Sequence, residues 1–148
     1  MSSPLIVTTA EAPAPLEVIG ERITVLASGA QTGSYEIFHQ AGPEGIGPPP
    51  HSHSWDEAFY VLDGEIAFGI DDQNLVAAPG TLVHLPAGTT HWFRFGSGGG
   101  VMISMTSRAG AAEFFTQVAR EISPENPDLG ALFGVATSHQ LRMPIPTA

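Results

Sequence analysis

Pro49-Pro50-His51-Ser52-His53-Ser54-Trp55-Asp56-Glu57-Ala58-Phe59-Tyr60-Val61-Leu62-Asp63-Gly64-Glu65 is the stretch from which the fold is read. In an extended chain, residues two apart point to the same face. His51 and His53 therefore aim two imidazoles at one point, which suits a metal ion, although a lone His-x-His pair is more often a surface or packing feature. Glu57 keeps the same parity four residues on. A carboxylate turned into an apolar interior is costly unless it is paired or bound to a cation. With a cation present, that cost becomes ligand energy. Asp63-Gly64 favours a tight type I′ turn and predicts a hairpin between strands over residues 57–62 and 65–70.

Outward from this stretch the same texture continues. Seventeen glycines and thirteen prolines fall between short alternating segments, as they do in proteins made of many short strands and tight turns. Strands are predicted over residues 22–28, 35–39, 81–85, 91–95 and 101–106, with a turn at 71–74. Residues 42–50 form a loop stiffened toward its end by proline. The tail changes period: Phe114, Val118 and Ile122 recur at helical spacing over residues 111–122, and Ser123-Pro124 stops the run. Residues 128–133 are a second short helix ended by Gly134. The Phe/Val stripe reads as packing against the strands. Residues 1–19 read as an N-terminal arm, loosest over 1–15, and residues 20–148 as one domain.

His91, after the turn at Pro86-Ala87-Gly88, is the fourth candidate for the site. A site drawn from two distant segments forms only when the chain folds, so metal binding and stability are coupled. Three neutral imidazoles and a carboxylate leave a divalent ion with a net charge near +1. Such N/O ligation suits iron, manganese, nickel, cobalt, copper or zinc rather than calcium. Phe59 shares parity with Glu57, and Phe93 with His91. These two, with Val61 and Phe95, are candidates for an apolar pocket around the ion, though core packing explains them equally well. His84 could support the site but reads better as surface or packing, as do His39 and His139.

At these residues the chain resembles the cupin superfamily. Gly45, His51, His53, Glu57 and Gly64 match its first motif, and Gly80, Pro86, Gly88 and His91 match the second. Phe95 stands where that second motif has asparagine, a departure that touches no family ligand. The resemblance implies an all-β fold, a single jelly-roll β-barrel with a short C-terminal helical segment. It also implies one divalent transition metal held by His51, His53, Glu57 and His91. Within the superfamily the chain is similar to small quercetin-dioxygenase-like proteins, in which the residue matching Glu57 is a ligand and can also accept a substrate proton. That implies a metal-dependent dioxygenase acting on a hydroxylated aromatic, flavonol-like or enolisable dicarbonyl compound, with Glu57 catalytic. The alternatives are a cyclase, isomerase or lyase for a polyketide- or sugar-like substrate, or a ligand-binding barrel without turnover. Small cupins commonly pair, so a homodimer is expected, with the arm docked on the partner.

Composition narrows the partners. The 148 residues carry fifteen acids, five arginines and no lysine, a formal net charge of −10. Such a surface repels phosphate backbones and anionic membranes, which argues against nucleic-acid and lipid partners and for a small-molecule substrate. The absence of cysteine excludes thiolate nucleophiles, disulfides and cysteine-bound metals. No stretch is apolar for long enough to cross a bilayer, and the first residues lack the basic start and apolar centre of a signal peptide. A cytoplasmic location is expected.

Overall fold

The computed structural model describes residues 3–143. Met1, at the start of the arm, and Pro146, near the end of the tail, lie outside the described residues. Among these residues nine strands form two antiparallel sheets: β1 (Leu16–Val18), β2 (Glu21–Ala27), β3 (Glu36–Gly42), β4 (Glu57–Asp63), β5 (Ile66–Ile70), β6 (Gln73–Ala77), β7 (Leu82–Leu85), β8 (His91–Phe95) and β9 (Gly100–Thr106). The larger sheet has the order β1-β2-β3-β9-β4-β7 and the smaller β6-β5-β8. Three helices accompany them: α1 (Gly29–Thr32), α2 (Ala111–Glu121) and α3 (Leu129–Ser138). The all-β jelly-roll architecture with a helical C-terminal segment is the one expected.

Period-two burial builds the barrel. Glu57, Phe59 and Val61 of β4 are buried and face Phe68 of β5 and Phe93 and Phe95 of β8 from the opposite sheet. Burying each phenylalanine contributes roughly 2–3 kcal/mol. A second apolar cluster lies under the helices, where Ala112 and Val118 of α2 and Leu132, Val135 and Ala136 of α3 cover Val18, Ile23 and Phe38. The helical stripe thus packs on the strands as its period requires. The N-terminus of α2 is fixed by a buried acid: Glu36 accepts hydrogen bonds from the backbone N–H of Ala112 at 3.0 Å and of Gly29 at 2.8 Å. Two helix-start donors satisfy that carboxylate.

Several expectations are corrected. β4 and β5 do not form a hairpin, because β4 pairs with β7 and β9 while β5 pairs with β6 and β8. Asp63-Gly64 is instead a corner between the sheets. Gly64 sits at φ 72°, and a Cβ there would lie 2.2 Å from the carbonyl oxygen of Gly99. Asp63 does not take the positive φ of a type I′ turn. The local turn signal was right about the glycine, and non-local pairing decided the rest. β5 instead forms a hairpin with β6, closed by Asp71 and Asp72. β6, β1 and α1 were not foreseen, and α3 runs past Gly134 to Ser138. Leu16–Val18, inside the expected arm, pairs with β2 of its own chain. Among the described residues, no helix is long and apolar enough to cross a membrane.

Candidate metal centre

Three histidines converge because backbone pairing forces them to. His51 and His91 exchange both backbone hydrogen bonds, at 3.0 and 2.9 Å, which sets their side chains on one face. His53 follows two residues later, and its carbonyl accepts from Gly88 N–H at 2.9 Å. On the other side, Ser52 pairs with Arg142 from the segment after α3. The C-terminal chain thereby clamps the histidine segment, a support that the sequence did not announce. Glu57 opens β4 and brings its carboxylate to the same point. All four residues are buried.

The ring nitrogens are sorted. Nδ1 of His51, His53 and His91 lies 2.9, 3.0 and 2.9 Å from the carbonyl oxygens of Pro49, Trp55 and Thr89. A carbonyl only accepts, so each Nδ1 carries the proton and each Nε2 is left with its lone pair. The three histidines each offer a ligand nitrogen within 4.8 Å of the others. Oε1 of Glu57 stands 3.4 Å from Nε2 of His53 and 3.2 Å from Nε2 of His91. In the neutral rings these are acceptors facing an acceptor, which repel unless a cation or an extra proton lies between them. Nε2 of His91 is buried with no hydrogen-bond partner among the described residues. This donor set fits a divalent transition ion: three imidazoles, one carboxylate and no competing donor.

The titration shifts express the same crowding. Burial, followed by the neighbouring His91, holds His51 down to about 4. Burial pushes the Glu57 carboxyl up, but His53 and His91 outweigh it and bring the group down to about 2. Burial works to lower His91, and the facing Glu57 raises it instead. A negative Glu57 amid imidazoles is a pocket that attracts positive charge, whether a proton or an ion.

A cavity of about 110 Å³ opens beside His51, His53 and Glu57. Phe59 and Phe93 line it, as expected from their parity. Val61 and Phe95 do not: they are buried in the core between the sheets, where the Phe95 ring lies within 2.5 Å of where a Cβ on Gly42 would sit. His84 is exposed and stands apart from the site. The helical wall was missed: Phe114, Phe115 and Val118 of α2, with Leu132 and Ala136 of α3, face the same cavity. Also missed were Trp55, stacked on His53 at 4.3 Å, and the buried acid Glu21. A signal for Glu21 existed, since it shares parity with Ile23 on β2.

Residues 38–105 match the family described as the cupin domain. The quercetin 2,3-dioxygenase of Bacillus subtilis (strain 168) is 33% identical over 66 residues, which make up 44% of this chain and 20% of that protein. The match thus spans about a fifth of that relative's length. Among solved structures, an RmlC-like cupin from Shewanella frigidimarina NCIMB 400 superposes with a TM-score of 0.65 at 19% identity, over 72% of this chain and 93% of that one. The polyketide cyclase RemF from Streptomyces resistomycificus gives 0.60 at 19% identity, over 71% and 79%. Such distant likeness speaks to the fold alone.

Proposed function

Given that the chain belongs to the cupin superfamily, we propose that it is a metal-dependent dioxygenase acting on a small enol or phenol. The observation that carries the reading is the convergence of three free Nε2 atoms and the Glu57 carboxylate beside an apolar cavity. His51, His53, Glu57 and His91 would hold the ion. A divalent transition metal there would supply Lewis acidity and a redox partner for dioxygen. The remaining chemistry belongs to the chain. Glu57 accepts the hydroxyl or enol proton at a carboxylate oxygen, which leaves the substrate anionic and raises the charge of the loaded site from near +1 to near +2. Phe59 and Phe93 hold the ring and exclude water, and that dryness strengthens every charge interaction inside.

Cavity size selects among substrates. An apolar cavity of roughly 150 Å³ accepts benzene. At about 110 Å³ this one is smaller, so it favours a single ring or a short dicarbonyl over a three-ring flavonol, which enters only if helical side chains move. The relative's name supports dioxygen chemistry, and the cavity argues for a smaller substrate than that name states.

The test is oxygen consumption by protein reconstituted separately with iron, manganese, nickel, cobalt and copper, offered catechols and β-diketones. Uptake with at least one pair is expected, and Glu57→Gln should reduce it about 100-fold or more while retaining most of the metal. Turnover without oxygen uptake would move the reading to Lewis-acid isomerisation or cyclisation. Normal uptake by Glu57→Gln would remove that residue's proton role. The reading includes a homodimer, because Tyr60, Leu82 and Met105 expose apolar surface on adjacent strands. Light scattering at micromolar concentration should return twice the chain mass, and a monomer would refute it.

A further inference from the structure

Besides Glu57, two acids of the larger sheet are buried, Glu36 and Glu21, and they are treated differently. Glu36 spans two helix-start N–H groups, one at each oxygen, so the fold explains it. Glu21 has no such role. Its Oε1 accepts from Nε2 of Gln40, and the Oε1 of Gln40 accepts in turn from Oγ of Ser104. Among the described residues that is the hydrogen bond its carboxyl makes, and Oε2 remains for a molecule in the cavity that Glu21 and Gln40 both line. A carboxyl that only cost stability would be out of place on a buried strand face, where leucine or methionine would pack better.

The backbone around Glu21 is also strained toward the cavity. Ile19 and Gly20 close the β1–β2 hairpin with φ of 48° and 85°. Glycine takes this conformation freely, but a β-branched residue does not. Ile19 holds it while its side chain lines the same cavity beside Glu21. Burial raises the Glu21 carboxyl to about 8, the Gln40 hydrogen bond pulls the other way, and the charge of Glu57 adds to the rise. Near neutral pH it therefore carries a proton to donate. The order of the polar chain follows: Ser104 donates to Gln40, Gln40 donates to Glu21, and Glu21 donates onward.

We propose that Glu21 is a ligand-anchoring residue, its carboxyl held by Gln40 and Ser104 so that it hydrogen-bonds a second oxygen of the bound molecule, away from the oxygen engaged at His51, His53, Glu57 and His91. This rests on the small enol or phenol reading above and narrows it. The ligand carries a distal neutral hydroxyl or carbonyl in addition to its acidic one. A distal carboxylate or phosphate is disfavoured, because it would face the buried Glu21 carboxyl and no arginine lines the cavity.

Calorimetric titration of zinc-loaded protein tests this without turnover, using two probes of matched shape. 3,4-Dihydroxybenzyl alcohol has a distal hydroxyl, and 4-ethylcatechol has a methyl group in its place. Glu21→Leu should weaken the alcohol about 3- to 10-fold and leave 4-ethylcatechol unchanged or tighter. Glu21→Gln, which keeps a donor of the same size, should bind both within about twofold of the parent, and zinc content should be equal in all three proteins. Equal losses for both probes in Glu21→Leu, or no loss for either, overturn the anchoring role while the phenol reading stands. Failure of the parent protein to bind either probe overturns both.

Discussion

The cavity has two walls of different origin. One is made of strands and the extended segment leading into them, and carries His51, His53, Glu57, Phe59, Phe93 and His91 next to it. The other is helical and offers only carbon, from Phe114, Phe115 and Val118 of α2 and Leu132 and Ala136 of α3. Backbone hydrogen bonds on both sides of residues 51–53 hold the first wall, so its polar atoms have fixed places. Apolar contact holds most of the second, helped by the bond from Ala112 N–H to Glu36 at the start of α2 and by one of 2.7 Å between His139 and Gln117. Directional bonds fix positions to fractions of an ångström, and apolar contact does not. The strand wall is therefore suited to chemistry and the helical wall to the choice of ligand. The two should be separable by mutation.

The largest effect should come from His91. Its ring lies 4.3 Å from that of His51 and 5.1 Å from that of His53, centroid to centroid. Its Nε2 has nothing else to bind among the described residues. His91→Ala should lower affinity for a divalent ion about 100-fold or more, read by elemental analysis after dialysis and by competition with a chelator. The lost ring also leaves a void, so metal-free stability should fall by about 1–3 kcal/mol. Full metal content in His91→Ala would break the division of labour, since the strand wall would not hold the ion as assigned.

The same two walls mark what could be read from the sequence. His51, His53 and Glu57 share strand parity, so local rules gather them, whereas His91 joins them through the cupin resemblance and, in the structure, through long-range pairing with His51. The helical wall is read only as packing, because a stripe such as Phe114, Val118 and Ile122 looks alike over a core and over a cavity. Only the tertiary arrangement tells which. Asp63-Gly64 fails for a related reason: the turn chemistry is local, but the partners of β4, which are β7 and β9, are distant in sequence. Glu21 was overlooked since a glutamate at the head of a strand is ordinarily solvated. Its parity with Ile23 was the available clue, and Ile23 is fully buried.

Glu21 belongs to the strand wall, and its titration offers a second test of how dry that wall is. Its folded value of about 8 lies above the ordinary 4.5. Below the ordinary value both folded and unfolded chains hold the proton, and the stabilisation is complete. As pH rises toward 8, the unfolded chain releases the proton first, so stability falls. Glu21→Gln removes this loss. Other groups facing the cavity, including His51, His53 and Glu57, are the same in both proteins, so they drop out of the difference to first order. Between pH 5.5 and 8 the variant should gain about 1–3 kcal/mol on the parent in urea unfolding of the metal-free proteins. A difference that does not change with pH would mean an ionised, hydrated Glu21 and a wetter strand wall.

The smallest effect, and the sharpest test of separability, is expected at Phe114. This residue lines the cavity from α2 and is only partly buried, with ring neighbours Phe115 at 5.7 Å and His139 at 5.6 Å. A fully buried phenylalanine costs about 3–5 kcal/mol when cut to alanine, so a half-buried one should cost about 1–2 kcal/mol. Phe114→Ala removes no polar atom and touches neither the Nδ1–carbonyl bonds nor the pairing of residues 51–53. Metal content should therefore stay at the parent level. The added room should favour longer ligands: zinc-loaded Phe114→Ala should bind 3,4-dihydroxybiphenyl several-fold more tightly than the parent does, while affinity for catechol shifts by less than about twofold. A fall in metal content alongside the altered ligand choice would show that the helical wall supports the ion as well, and the contrast between the walls would collapse into a single coupled site.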